Sequence, residues 1–210
     1  QVALRRSHYA GRITQVALAR SNYARRWLTI WSRSSAKMHD PDNEDSRNFS
    51  VRRATVTDAG VIAHQRASMF QGMGTLPSER APALCEMTIA YLKHALPSGE
   101  YLAWLAFDVS APETIVAGAG LLLRQIQPFP IMQGPLTGRL ASGKQGLVMN
   151  VFVEPAWRRR GLANMLMQQV MAVATSEGVE SLVLNASKEG RMLYEQLGFI
   201  ATNEMWLIPT

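Results

Sequence analysis

The strongest constraint on the fold is a basic, glycine-containing turn that joins an apolar stretch to an amphipathic segment. The apolar stretch covers residues 147–153, Glu154 and Pro155 break it, and the basic turn covers residues 158–163. After the turn, apolar side chains recur at the spacing of one helix face, namely Leu162, Leu166, Val170 and Val173. This pattern predicts a strand, a tight turn and a helix in succession.

The predicted start of this helix is suited to an anion. The first backbone N–H groups of a helix have no intrahelical acceptor, and the N-terminus carries a partial positive charge. Arg158, Arg159 and Arg160 lie at this end. Without an anion, each arginine would oppose the helix dipole by about 0.3–1 kcal/mol at most. The arginines therefore favour a phosphate-binding turn, although a basic turn exposed to solvent would also contain them.

The turn resembles the acetyl-CoA motif of the GNAT superfamily of N-acetyltransferases. That motif is Arg/Gln-x-x-Gly-x-Gly/Ala between a strand and a helix, and Arg158, Gly161 and Ala163 occupy its defined positions. A second match follows at the spacing of the family. Residues 181–185 are predicted as the next strand, and residues 185–199 resemble the family's late helix, which carries a tyrosine and closes on Leu-Gly-Phe.

The resemblance extends over residues 51–208 and implies an α/β fold. The family has a GNAT-type mixed, mostly antiparallel central sheet flanked by helices, and a disordered or helical N-terminal extension would precede it here. Thr57 and Asp58 are placed to cap the first helix. Local patterns predict a strand at 50–54, helices ending near 70 and spanning 78–96, strands at 101–107 and 115–125, a loop at 127–145 and a last strand near 204–208.

The basic character of the chain belongs to its first forty residues. The formal net charge is +6, yet residues 1–38 contain eight basic residues and no acidic one. Residues 39–210 contain fourteen basic and sixteen acidic residues, which gives that part a net charge of −2. The overall charge therefore says little about what the folded domain binds.

Three interpretations of the N-terminal segment stay open. Residues 1–10 recur with small changes as residues 15–24, and Met38 is the first methionine. We prefer translated upstream sequence with Met38 as the initiator; the alternatives are a transit peptide and a basic arm that binds nucleic acid or a membrane. Under each of them, residues 1–48 form a basic extension and residues 49–210 form the acetyltransferase domain.

Two absences in the sequence restrict the class of protein. Cys85 is the only cysteine, which excludes an internal disulfide and a cysteine-rich zinc site and fits a reducing compartment. No apolar run approaches the roughly 18 residues that a membrane helix needs. We therefore predict a cytoplasmic protein without a metal ion or a membrane partner. Binding to nucleic acid is not expected, and a homodimer is compatible with the sequence.

The resemblance implies transfer of an acetyl group from acetyl-CoA, as co-substrate, directly to a primary amine. The acceptor would be a small molecule or a peptide N-terminus. Backbone N–H groups of residues 159–163 would hold the pyrophosphate, because glycine and alanine allow close approach. The strand before the turn would separate from its neighbour and leave peptide groups free for the pantetheine arm. The residues assigned to the co-substrate are Val151, Phe152, Val153, Arg158, Arg159, Arg160, Gly161, Leu162, Ala163, Asn185 and Ser187.

The same resemblance makes Tyr194 the candidate general acid for the departing thiolate, since the pKa values of a phenol and a thiol are similar. Asn150 is a polar residue in an apolar strand and needs hydrogen-bond partners, which a loop, the acceptor or the co-substrate would supply. Residues 146–153 contain no carboxylate, so the general base stays open. The candidates are Glu154, Glu86, His64 and ordered water.

Residues 69–80 and 127–145 are expected to bind the acceptor. Within the first segment, Met69, Phe70 and Met73 provide an apolar, adaptable surface. Neither segment has an acidic cluster, which favours a small or modestly charged amine over a polycation. Two other functions are considered: a non-catalytic acyl-CoA-binding sensor or scaffold with the same fold, and a nucleic-acid-binding protein that acts through the basic arm.

Overall fold

The computed structural model describes residues 48–132, 137–202 and Leu207. Its helices are α1 (Ala59–Gly72), α2 (Ala81–Ser98), α3 (Leu162–Ser176) and α4 (Arg191–Gln196). Its strands are β1 (Phe49–Arg53), β2 (Tyr101–Asp108), β3 (Ala111–Gln125), β4 (Phe129–Pro130), β5 (Leu140–Ala141), β6 (Lys144–Val153) and β7 (Ser181–Val183). Apart from Asn48 and Leu207, the predicted N-terminal extension and last strand lie outside the described residues. Within the described ranges, no helix combines the length and apolar composition needed to cross a membrane.

Five strands form the central sheet in the order β1-β2-β3-β6-β7. Strands β1, β2, β3 and β6 pair antiparallel with one another along this order, whereas β7 lies parallel to β6. Parallel neighbours need a crossover connection, which α3 supplies between β6 and β7. This mixed, mostly antiparallel sheet with flanking helices confirms the predicted fold class.

Alternate residues of β2 face two separate apolar layers, because successive side chains of a strand point to opposite faces of the sheet. Leu102 and Trp104 pack in the layer that contains α3. Tyr101 and Leu105 pack in the other layer, which contains α1 and α2. The helices contribute Leu166, Met167 and Val170 to the first layer and Ile62 and Leu92 to the second. The sheet is therefore covered on both faces.

Several predicted boundaries differ from the structure: the strand predicted at 115–125 begins at Ala111, and three further differences lie between residues 127 and 199. The loop predicted at 127–145 contains a short antiparallel pair, β4 with β5, and β6 begins within it. Strand β7 ends two residues before the predicted end at Asn185. The late helix is limited to Arg191–Gln196, because the Ser187 hydroxyl accepts a hydrogen bond from the Gly190 N–H at 3.1 Å. Such a local side-chain turn competes with helix formation and delays its start.

An ion pair holds the junction between β1 and α1. The Asp58 carboxylate accepts hydrogen bonds from Arg52 Nη1 and Nη2 at 2.8 and 2.7 Å, and from the Thr55 N–H at 2.8 Å. The predicted capping role of Asp58 is confirmed, although it closes the short 3₁₀ turn Val56–Asp58 that leads into α1. The predicted role of Thr57 is wrong, because its hydroxyl instead shares a hydrogen bond with the Thr55 hydroxyl.

Two glycines of β3 lie directly beneath side chains that pack on the strand from neighbouring elements. A Cβ atom at Gly120 would overlap the Tyr101 hydroxyl, and one at Gly118 would overlap the Gln65 side-chain oxygen. Tyr101 and Gln65 are both buried, at 2% and 3% exposure. Glycine weakens the interior of a strand, and close approach of another group is a common reason for it. Here the glycines make room for two buried polar side chains.

We expect Asp58→Asn to lower the free energy of unfolding at pH 7 by about 2 kcal/mol. The hydrogen bonds from Arg52 lower the pKa of Asp58 from its ordinary value of 3.8 to about 2. A carboxyl whose pKa is lowered on folding stabilises the protein above the unfolded pKa, and this contribution is lost as the pH falls from about 4 to 2. Thermal unfolding across this pH range checks the prediction. The matched control is Glu113→Gln, at an exposed position of β3, and equal acid sensitivity of wild type and the Asp58 variant would contradict it.

We expect Gly120→Ala to destabilise the fold by about 1–3 kcal/mol, because the added methyl group displaces the buried Tyr101 hydroxyl. The control is Gly60→Ala in α1, where a Cβ would meet no atom within 4 Å. That change should be neutral or stabilising by up to about 1 kcal/mol, since alanine is the better helix former. Urea unfolding of both variants measures these changes in the free energy of unfolding. If Gly120→Ala were as stable as wild type, the close approach of Tyr101 would be wrong.

Candidate active site

The turn between β6 and α3 has the backbone shape that an anion site requires. A 3₁₀ turn, Pro155–Trp157, follows β6, and α3 begins at Leu162 directly after Gly161. Arg159 and Gly161 both have left-handed backbone, with φ of 66° and 79°. A Cβ at Gly161 would meet no atom within 4 Å, so the glycine is required for its backbone conformation. The space beside it leaves room for an anion at the start of α3.

Two of the three arginines in this turn are engaged by the protein itself. Arg158 Nε donates a hydrogen bond to the Val153 carbonyl oxygen at 3.1 Å. The Arg160 guanidinium lies over the Trp157 ring, 5.0 Å from its centroid. Arg159 is exposed. The anion-binding capacity of the turn therefore depends first on its backbone N–H groups, while the arginine side chains fix the turn and set its charge.

Among the described residues, the far end of β6 has no neighbouring strand on one side, which we call its open edge. Strand β7 pairs with β6 only at residues 145–147 of β6. On the opposite edge, Phe152 is paired with Gly118, and the Glu154 N–H donates to the Val116 carbonyl oxygen at 2.9 Å. Because peptide groups alternate between the two edges of a strand, those of Val151 and Val153 point to the open edge. The Val153 carbonyl oxygen accepts the hydrogen bond from Arg158 there, so Val153 offers its N–H to a ligand. The structure thus brings an open edge of β6 directly before the anion-suited turn.

Tyr194 borders the same apolar layer as Val151 and Val153. It lies on α4, packs against the α3 layer and meets the Phe199 ring edge-on, with centroids 5.9 Å apart. Gly190 lies against its ring, where a Cβ would be 3.0 Å from Cε2. Burial raises the pKa of Tyr194 above its ordinary value of 10. The phenol therefore keeps its proton at neutral pH, which is the state a general acid needs.

The positions of four other predicted site residues give less support for a role in the site. Asn185 is exposed after the end of β7, and Ser187 forms the turn before α4. Glu154 directly follows β6 and is partly buried. Phe152 is buried in the core at 6% exposure, and it pairs with Gly118 of β3 instead of facing the open edge. Glu86 and His64, named as alternative bases, are both exposed on their helices.

Strand β6 bulges at Asn150. Phe152 pairs with Gly118 and Met149 with Gly120, so Asn150 and Val151 together oppose the single residue Ala119. Asn150 has a left-handed backbone, with φ of 54°. A β-bulge re-aims a side chain and interrupts the ladder. Here it directs the Asn150 amide to the sheet face that α1 and α2 cover.

The Asn150 amide links α1 to β2 through two hydrogen bonds. Arg66 Nη1 donates to Asn150 Oδ1 at 2.6 Å, and Asn150 Nδ2 donates to the Tyr101 hydroxyl at 2.7 Å. Burial raises the pKa of Tyr101 to about 12 and lowers that of Arg66. The expectation that Asn150 needs hydrogen-bond partners is confirmed, and the partners that the structure shows are side chains of a helix and a strand.

A small cavity, lined mostly by apolar residues, adjoins this cluster. Its volume is about 10 Å³, close to the lower limit for one water molecule, and Gln65, Tyr101, Gly118 and Asn150 are among its lining residues. Among the described residues, Gln65 Nε2 is a buried donor without an acceptor. Buried amide groups of this kind normally have a partner, and a bound water would supply one.

The three residues expected to bind the acceptor lie at the end of α1, next to this cluster. The Phe70 ring lies under the Arg66 guanidinium, 4.8 Å from ring centroid to Cζ. Met69 is partly buried, and Met73, just beyond α1, is 42% exposed. The sequence prediction thus identified the apolar side of this region but missed Arg66, Gln65 and Tyr101. The sequence signal that could have indicated this cluster is the pair of glycines, Gly118 and Gly120, inside an otherwise regular strand.

Comparisons with known proteins agree with this geometry. Residues 129–206 match the family model described as an acetyltransferase (GNAT) domain. A GCN5-related N-acetyltransferase from Ralstonia eutropha JMP134 is similar at 26% identity, with a TM-score of 0.66 over 77% of this chain and 98% of the other. No curated protein matches the sequence.

Two more distant structures show the fold alone. A predicted acetyltransferase with acetyl-CoA from Clostridium acetobutylicum has 22% identity and a TM-score of 0.63 over 77% of this chain and 96% of the other. An aminoglycoside acetyltransferase from an uncultured soil metagenomic sample has 17% identity and a TM-score of 0.54 over 77% and 98%. The chain therefore has the fold of these acetyltransferases, and its residues 129–206 match the model of the GNAT acetyltransferase domain.

Proposed function

We propose that the chain transfers the acetyl group of acetyl-CoA directly to the primary amine of a small molecule. The observation that carries this proposal is the continuity of the open β6 edge with the glycine turn at the start of α3. An acyl-CoA has the matching order of groups: a thioester, an amide-containing arm and a pyrophosphate. The peptide groups of Val151 and Val153 suit the arm, and the backbone of residues 159–163 suits the pyrophosphate.

In the proposed reaction the amine nitrogen attacks the thioester carbonyl carbon, so that an N–C bond forms, the C–S bond breaks, and the attacking nitrogen loses one proton to the general base. Acetyl-CoA supplies the activated acyl group. Tyr194 supplies a proton to the departing thiolate, which its raised pKa permits at neutral pH. Peptide N–H groups at the open β6 edge stabilise negative charge on the carbonyl oxygen. The general base stays open between Glu154 and ordered water near the Asn150 bulge.

We expect acetyl-CoA at about 100 times its Kd to stabilise the protein by about 2.7 kcal/mol, because it binds the folded state alone. Gly161→Glu should abolish this shift by placing a carboxylate where the pyrophosphate binds. Gly178→Glu is the matched control: Gly178 has φ of 68° and open space around it, but lies just after the C-terminal end of α3. A shift in thermal unfolding that survives Gly161→Glu would place the ligand elsewhere, and no shift in wild type would contradict acetyl-CoA binding.

We expect Tyr194→Phe to lower kcat by about 10²–10³-fold while leaving the acetyl-CoA stabilisation unchanged, because only the proton donor is removed. The phenyl ring keeps the contact with Phe199, so the melting temperature should change little. Release of CoA thiol with an amine panel measures the rate. An unchanged kcat would exclude Tyr194 as the acid. Acetyl-CoA binding without thiol release from any amine would instead favour the non-catalytic sensor or scaffold.

A further inference from the structure

Arg66 is partly buried, and no carboxylate of the described residues forms an ion pair with its guanidinium. Its guanidinium stacks on Phe70 and donates one hydrogen bond, to Asn150 Oδ1. Within the ranges 48–132 and 137–202, no Asp or Glu lies at ion-pair distance from it. Arg52, by contrast, is fully engaged by Asp58 at 2.7 and 2.8 Å. A guanidinium has five N–H donors, so most of the hydrogen-bonding capacity of Arg66 is uncommitted.

The cavity beside Asn150 adds an unused donor and no carboxylate. Gln65 Nε2, which lines this cavity, is buried without an acceptor among the described residues. The Asn150 amide turns its oxygen to Arg66 and its nitrogen to Tyr101, so its only acceptor atom is already used. A partly buried cation is costly unless it is paired, and this environment offers it no negative charge.

Arg66 also lies within one hydrogen bond of the strand on which acetyl transfer is proposed. Asn150 directly precedes Val151, the first residue whose peptide group faces the open edge of β6. An acceptor amine must reach the thioester at that edge, and Asn150 holds the guanidinium on the α1 face beside it. The exposed side chain of Met73 and the partly buried Met69 and Phe70 border the same end of α1.

We propose that Arg66 recognises an anionic group on the acceptor, so that the substrate is a small amine with a carboxylate or phosphate a few bonds from its nitrogen. This inference rests on the proposed function and names the substrate class of that site. The planar guanidinium matches both anions through paired N–H···O bonds, which a lysine ammonium does not reproduce. The stack on Phe70 and the hydrogen bond that Arg66 donates to Asn150 fix its orientation before the substrate arrives.

The test compares charged amines with neutral counterparts in the full chain. Amino acids are paired with their amides, and phosphoethanolamine with ethanolamine, with CoA thiol release as the readout. Wild type should prefer the anionic member of at least one series. Arg66→Met should lower kcat/KM for that series by about 10- to 100-fold more than for the neutral counterparts, mainly through KM. Arg66→Lys should recover only part of the loss.

Arg53→Met is the matched control, because Arg53 also stacks on an aromatic ring, Trp104 at 5.2 Å, but lies on β1, three strands from β6 in the sheet order. It should leave the preference unchanged. Equal losses for charged and neutral amines in Arg66→Met would show that Arg66 only supports Asn150, and would overturn the proposal. A wild-type preference for the neutral counterparts would overturn it as well.

A binding measurement separates this proposal from the proposed function. The preferred anionic amine, added with acetyl-CoA, should raise the melting temperature of wild type but not that of Arg66→Met, while the acetyl-CoA shift itself stays the same in both. No acetyl-CoA shift and no thiol release with any amine would contradict the acetyltransferase. A normal acetyl-CoA shift with turnover of neutral amines alone would contradict only the role of Arg66.

Discussion

The candidate active site depends on one break in the ladder between β3 and β6. Where Asn150 and Val151 oppose the single residue Ala119, the strand changes direction, and a polar side chain is turned to the α1 face. Unsupported, a left-handed asparagine in a central strand would be strained. The hydrogen bonds from Arg66 and to Tyr101 hold it in place, and Gly120 leaves the space that Tyr101 needs. The bulge is thus stabilised by contacts from three elements.

The sequence predicted best what is encoded locally. The end of the apolar stretch, Gly161 and the start of the helical spacing of apolar residues fall within twenty residues. Together they predict the position of the β6–α3 turn correctly. The late helix was predicted too long because the 185–199 segment carries its own helix-delaying turn at Ser187. The cluster around Asn150 could not be predicted from such signals. Arg66 and Asn150 are 84 residues apart, and Tyr101 and Asn150 are 49 apart, so their contacts exist only once the sheet has formed.

The positive charge that an arginine of this protein can offer a ligand depends on the contacts it already makes, not on how many basic residues lie beside it in the sequence. Three consecutive arginines suggest a strongly cationic turn, yet Arg158 is bonded to a carbonyl and Arg160 lies over an indole ring. Arg66 stands alone in the sequence and gives no such signal. Because the described residues offer it no carboxylate, it nevertheless keeps most of its N–H donors for an anion. A count of basic residues therefore does not find this position.

In the proposed reaction, the proton donor and the group that anchors the acceptor lie on opposite faces of β6. Tyr194 packs in the α3 layer, whereas Asn150 and Arg66 belong to the face covered by α1 and α2. Direct transfer needs the amine to approach the carbonyl carbon from one side while the thiolate leaves toward another. A strand that is open at one edge and bulged beside it satisfies this need, because the proton donor and the acceptor's anchor are then separated by the strand itself. In the proposed reaction the open edge of β6 holds acetyl-CoA, the α1 face anchors the amine, and the two substrates meet at the acyl carbon.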